Sequence, residues 1–80
     1  MVDNSRQPLK KRSFTIAGHR TSVALEPEFW SVLETEALRV RQTLSAFVAA
    51  IDAARGLRPL ASALRLAALD FALHRKHEHG

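Results

Sequence analysis

Apolar and polar residues alternate with period two over residues 13–25, "SFTIAGHRTSVAL", a stretch rich in Thr, Val, Ile and Phe. This is strand chemistry. Val23 and Leu25 point to one face with Thr21 beside them, and Arg20, Ser22 and Ala24 point to the other. Gly18 fits either a bulge or the turn of a small hairpin pairing residues 13–16 with 20–25. After residue 26 the period lengthens. Pro27 suits a first helical turn, because its fixed φ is helical and its missing N–H would be orphaned there anyway. Glu26 and Glu28 place negative charge at the positive end of the helix dipole. Phe29, Leu33 and Ala37 recur at i, i+4 and i+8, widened by Trp30, Leu38 and Val40, which predicts a helix over residues 27–41.

A break follows at "RQTLSAF". Thr43 is a good N-cap with Ser45 in the next turn, and the stripe Leu44, Phe47, Val48, Ile51 predicts a second helix over 44–55 that Gly56 stops. "LRP" makes a turn, and a third helix is expected over 60–75. It carries Leu60, Leu64, Ala67, Ala68 and Phe71 on one stripe and Leu66, Leu69 and Leu73 on another. A helix apolar on two sides is expected to be buried on two sides. Residues 1–12 are polar, contain Pro8 and lack periodicity, so they read as a flexible arm. Residues 13–73 form the domain, and 74–80 are a polar tail. No internal repeat or low-complexity block stands out.

A single strand cannot satisfy its own backbone N–H and C=O groups. A symmetric dimer supplies the second strand, pairing the same residues of two chains antiparallel across a two-fold axis. Val23 and Leu25 then cap a shared core with Phe29, Trp30, Leu33, Phe47 and Ile51, while Arg20, Ser22 and Ala24 are presented twice on the outer face. A two-stranded ribbon of this kind fits the major groove of B-form DNA.

Composition adds weight to association. An 80-residue chain buries only about 60% of its unfolded surface, yet 46% of its residues are hydrophobic and it has no cysteine to staple a small core. The net charge is +4, and residues 1–12 hold Arg6, Lys10, Lys11 and Arg12 against Asp3, or 4 − 1 = +3. A basic arm on a nearly neutral body suits an anionic partner such as nucleic acid. Lys10, Lys11 and Arg12 are candidates for phosphate or minor-groove contact. No targeting segment or run of roughly 20 apolar residues is present, so no membrane partner and a cytoplasmic, nucleoid-associated location are expected.

The stretch "RTSVALEPEFWSVLETEALRVRQTLSAFVAAI" resembles the ribbon–helix–helix DNA-binding superfamily, which includes Arc-type and methionine repressors and many antitoxins. The wider segment, about residues 11–73, is similar to a bacterial subgroup of short ribbon–helix–helix proteins. The shared pattern is a strand ending in Leu25, a proline near the first helix start and a small hydroxyl residue capping the second helix. Glu26, standing between Leu25 and Pro27, departs from it. The resemblance implies a mostly α fold with one short β-strand, an extra C-terminal helix, and an intertwined homodimer sharing a two-stranded antiparallel ribbon. It implies base contacts from Arg20, Ser22 and Ala24 and a phosphate anchored by Thr43, Leu44 and Ser45. The last rests also on helix N–H groups and dipole forming an anion site. Arg20 suits guanine, Ser22 suits several bases, and Ala24 offers only a methyl contact to thymine.

The expected function is therefore a dimeric, sequence-specific DNA-binding transcriptional regulator acting as a repressor. The alternative is an antitoxin or protein-interaction module of the same fold with weak or no DNA reading. Whatever the function, the third helix is expected to serve oligomer packing, over the dimer core or in a tetramer, or to hold a protein partner. No enzyme, cofactor or metal site is expected. His19 has no serine–acid partner at a useful spacing. His74, His77 and His79 lie in the tail with no cysteine and no carboxylate beyond Glu78.

Overall fold

A computed structural model describes the backbone of residues 8–79 and the side chains of residues 8–74. Two strands, β1 (Lys10–Ile16) and β2 (His19–Leu25), are followed by three helices, α1 (Pro27–Arg39), α2 (Leu44–Ala54) and α3 (Leu60–His79). Within the chain β2 pairs with β1, the hairpin alternative. The two strands pair antiparallel, from Lys10 opposite Leu25 to Ile16 opposite His19. Lys10, Lys11 and Arg12 belong to β1 and not to an arm. Of the rest of the expected arm, Pro8 and Leu9 are exposed and lead into β1, and residues 1–7 lie outside the described residues.

Ala17 and Gly18 close the hairpin with φ of 52° and 81°. Two successive positive φ values are the signature of the two-residue turn whose twist matches that of paired strands. Glycine adopts such a φ freely, whereas alanine does so against its Cβ.

The inner face of the hairpin is Phe14, Ile16, Val23 and Leu25, all buried. Trp30 of α1 locks β1 onto it. Its indole Nε1 donates to the Lys10 carbonyl at 2.7 Å. Its ring lies 5.9 Å from that of Phe14, and the Arg12 guanidinium sits 5.3 Å from the indole centroid. Arg12 also pairs with Glu34 of α1. A strand-borne arginine is accepted on the core side because an indole face and a carboxylate await it there.

Glu26 is the N-cap of α1, with Pro27 at the first helical position, so the helix starts where the proline predicts. It ends two residues before the expected position 41. Arg41 (φ 61°) donates to the Leu38 carbonyl at 3.0 Å and Gln42 to that of Ala37 at 2.9 Å. This is the paired closure of a Schellman motif, here with arginine in the position glycine usually takes. Val48, Leu33, Leu25, Trp30 and Leu64 are the largest fully buried side chains. With Phe14 and Ile16 of β1, also buried, they show a core assembled from both strands and all three helices of the chain. Phe29 and Ile51 are partly buried against that core.

The third helix is integral to it. Leu64 and Ala68 are completely buried, and Phe71 packs on Phe47 with ring centroids 5.6 Å apart. Arg65 reaches the Glu26 carboxylate at 2.9 Å, joining α3 to the strand–helix junction. The opposite stripe stays open: Leu66, Leu69 and Leu73 are about half exposed. Burial on two faces therefore holds for one face only within the chain. No helix among the described residues is long and apolar enough to cross a membrane.

Candidate nucleic-acid interface

Strand alternation leaves the outer face of the hairpin to Lys11, Ser13 and Thr15 on β1 and Arg20, Ser22 and Ala24 on β2. The register sets them in three cross-strand pairs: Lys11 with Ala24, Ser13 with Ser22, and Thr15 with Arg20. All are exposed except Ala24, which is half-buried. The face holds two cations, three hydroxyls and a methyl, and no acidic side chain. The hydroxyls of Ser13 and Ser22 are 2.9 Å apart, one donating to the other. Arg20 Nη1 donates to Thr15 Oγ1 at 3.4 Å, a long contact that leaves most of the guanidinium free.

The three expected base readers therefore share one face, as the period-two pattern requires. Ser13 and Thr15 join them, and sequence reading missed both as site residues. The signal was available in "KRSFTI", which alternates in the same way, but its polar N-terminal half obscured it. The basic cluster divides. Lys11 projects from the outer face. Lys10 stands exposed at the strand end in register with the inner face. Arg12 lies on the inner face, held by Trp30 and Glu34.

The second element is the start of α2. Thr43 Oγ1 accepts from the Ala46 N–H at 3.0 Å, and the Thr43 carbonyl accepts from Phe47 N–H at 3.0 Å. That cap satisfies one orphan donor. The N–H groups of Leu44 and Ser45, the first two of the helix, have no intrahelical acceptor. Thr43 and Ser45 are exposed, while the Leu44 side chain packs against the core, so Leu44 offers its backbone alone. The positive helix end and these donors form a site for an anion.

Glu26 lies at the junction of β2 and α1. Hydrogen bonding from Arg65, aided by its own backbone N–H, holds its carboxyl below the usual carboxylate range. Among the described residues no group of three His, Asp or Glu is placed to hold a metal ion. His77, His79 and Glu78 fall outside the described side chains.

A strand hairpin followed by helices, the second of them capped by Thr43, agrees with a family model described as a ribbon-helix-helix domain, which matches residues 9–72. The chain belongs to the ribbon-helix-helix domain family. No curated protein and no solved structure matches it. Ribbon-helix-helix domains are in general DNA-binding regulators or antitoxins, a regulatory rather than an enzymatic fold. The match begins at residue 9, one residue before β1, so the hairpin's first strand lies within the ribbon-helix-helix domain.

Proposed function

We propose that this chain is a sequence-specific DNA-binding transcriptional regulator that sets its β-ribbon in the major groove. The observation that carries this reading is the outer face of the hairpin: small, hydroxyl-bearing and basic, without a carboxylate or a large apolar side chain. Arg20 is aimed to bond guanine through O6 and N7, Ser22 to accept or donate to a base edge, and Ala24 to meet a thymine methyl. The start of α2 receives a phosphate through the N–H groups of Leu44 and Ser45 and the hydroxyls of Thr43 and Ser45. The positive charge of β1 adds salt-dependent attraction to the backbone. Arg12 is spoken for by Trp30 and Glu34 and contributes to the position of β1 instead. The working unit in this reading is a homodimer, which brings two copies of this face to one duplex.

Electrophoretic retardation on DNA upstream of the protein's own gene tests the reading. Arg20→Ala is expected to weaken specific binding by about 1–3 kcal/mol. Unchanged affinity of the variant for a bound operator would refute the ribbon mode.

A second reading, an antitoxin or protein-interaction module, is favoured by the open stripe of Leu66, Leu69 and Leu73 on α3. It predicts no salt-sensitive DNA binding at physiological ionic strength. It also predicts a protein partner that is lost when Leu69 and Leu73 are replaced by serine.

A further inference from the structure

The outer face of the hairpin carries two kinds of cation on two strands. Its guanidinium, Arg20, is on β2. Its ammonium, Lys11, is on β1, where Ser13 and Thr15 complete the outward side. A planar guanidinium forks onto two acceptors of one base. An ammonium is a point charge that suits a phosphate oxygen, as hydroxyl donors do. The outward chemistry of β1 is thus that of a backbone-contacting strand, and that of β2 belongs to a reading strand.

The two strands also differ at their edges. β1 occupies one edge of β2. At the start of β1 the Lys10 carbonyl already accepts from Trp30 Nε1 at 2.7 Å. Among the described residues, the backbone of residues 19–25 bonds to β1 alone. The seven residues of β2 therefore keep a second edge whose N–H and C=O groups suit another strand. In the dimeric, DNA-binding reading on which this inference rests, the fitting occupant is β2 of a second copy. It brings the same edge, and antiparallel pairing across a two-fold sets Arg20, Ser22 and Ala24 of both copies on one face. The two copies of β2 are then the central strands, and β1 lies outermost on each side.

Widths decide what each strand can touch. The two central strands are a ribbon of the size the major groove admits. The outer two are three strand spacings apart, about 14 Å at about 4.8 Å each, against a groove about 12 Å wide. They cannot both enter it, and they lie over its walls, where the sugar–phosphate backbones run. We propose that β1 is the phosphate-gripping outer strand of the shared ribbon, with Lys11, Ser13 and Thr15 holding the DNA backbone on each wall of the groove. The fold keeps β1 in place for this. Lys11 stands between two anchored residues, Lys10 through its carbonyl on Trp30 and Arg12 through the indole face and Glu34. Trp30 is thereby a positioning residue for Lys11, which meets DNA without the ordering cost of a free basic arm.

Selection of the full-length protein on a random duplex library supplies an enriched site. Titrations on that site and its single-base variants, at several salt concentrations, test the assignment. Lys11→Ala is expected to weaken binding to every variant by the same factor. It should also lower the slope of log affinity against log salt by about two per dimer, one for each copy. Arg20→Ala is expected instead to relax the preference at particular base pairs by about 5- to 150-fold. Trp30→Phe keeps a ring but removes the bond to the Lys10 carbonyl. With its fold verified by circular dichroism, it should lower the slope as Lys11→Ala does, and the double variant should add little. Full additivity of the two would overturn the positioning role of Trp30. The proposal is overturned, with DNA bound, if Lys11→Ala alters a base preference, which puts β1 on the groove floor. It is equally overturned if Lys11→Ala leaves affinity and slope unchanged, which puts β1 off the DNA. A wild-type protein that enriches no sequence and binds no duplex sinks the DNA-binding reading itself.

Discussion

Truncation of Leu64 in α3 tests whether the third helix belongs to the core or merely decorates it. Leu64 is fully buried among residues of the other elements. Leucine to alanine removes three carbons, which at about 0.8 kcal/mol per buried methylene is about 2.4 kcal/mol of transfer free energy. A residual cavity brings measured losses for such changes to about 2.7–5 kcal/mol. Leu25, Leu33 and Val48, members of the same core from different elements, are themselves fully buried and leave little room for collapse, so a loss of about 3 kcal/mol is expected for Leu64→Ala. Small domains have little stability in hand, in general about 5–15 kcal/mol and less at this size. The chain's only tryptophan, Trp30, is 2% exposed in the fold, so its emission reports unfolding directly. With a urea slope of about 1–1.5 kcal/mol per molar, the midpoint should fall by about 2–3 M at fixed protein concentration. Leu66→Ala, on the half-exposed stripe, serves as the control and should shift it far less. If Leu64→Ala lowers stability by less than about 1 kcal/mol, α3 does not share the core and the packing described above is wrong.

Thr43→Ala removes the α2 cap and should lower stability by about 1 kcal/mol in the same titration, with Thr43→Ser close to wild type. Ala17→Asn places a residue more tolerant of positive φ in the hairpin turn and should raise stability by about 0.5–1 kcal/mol, checked by thermal melting. Because the Glu26 carboxyl titrates below its ordinary value in the fold, its pairing with Arg65 stabilises the protein above the usual carboxylate pKa and is lost as pH falls through the lowered one. The stability difference between wild type and Glu26→Gln should therefore be present near neutrality and close in acid, and it should shrink with added salt.

The strand and three helices were legible because each announces itself locally. Pro27 and the Phe29–Leu33–Ala37 spacing set α1, the Thr43 cap and Gly56 bound α2, and the face of β2 follows from its period of two. These signals depend on residues a few positions apart. The pairing of β2 with residues 10–16 of its own chain was not legible, because pairing is a contact between segments rather than a property of either one. Lys10–Arg12 look like a solvated basic arm until Trp30 and Glu34 are known to lie beneath them, at which point Arg12 becomes an inner-face residue and the strand gains its N-terminal half. Leu64 and Leu66 are alike in sequence. Only the packing of α3 against α1 and α2 buries the first and leaves the second open. The outward direction of Arg20, Ser22 and Ala24 was decided by the chain's own alternation. That Lys11, Ser13 and Thr15 stand beside them was decided by the register, since an antiparallel pairing shifted by one residue would have turned all three to the opposite side.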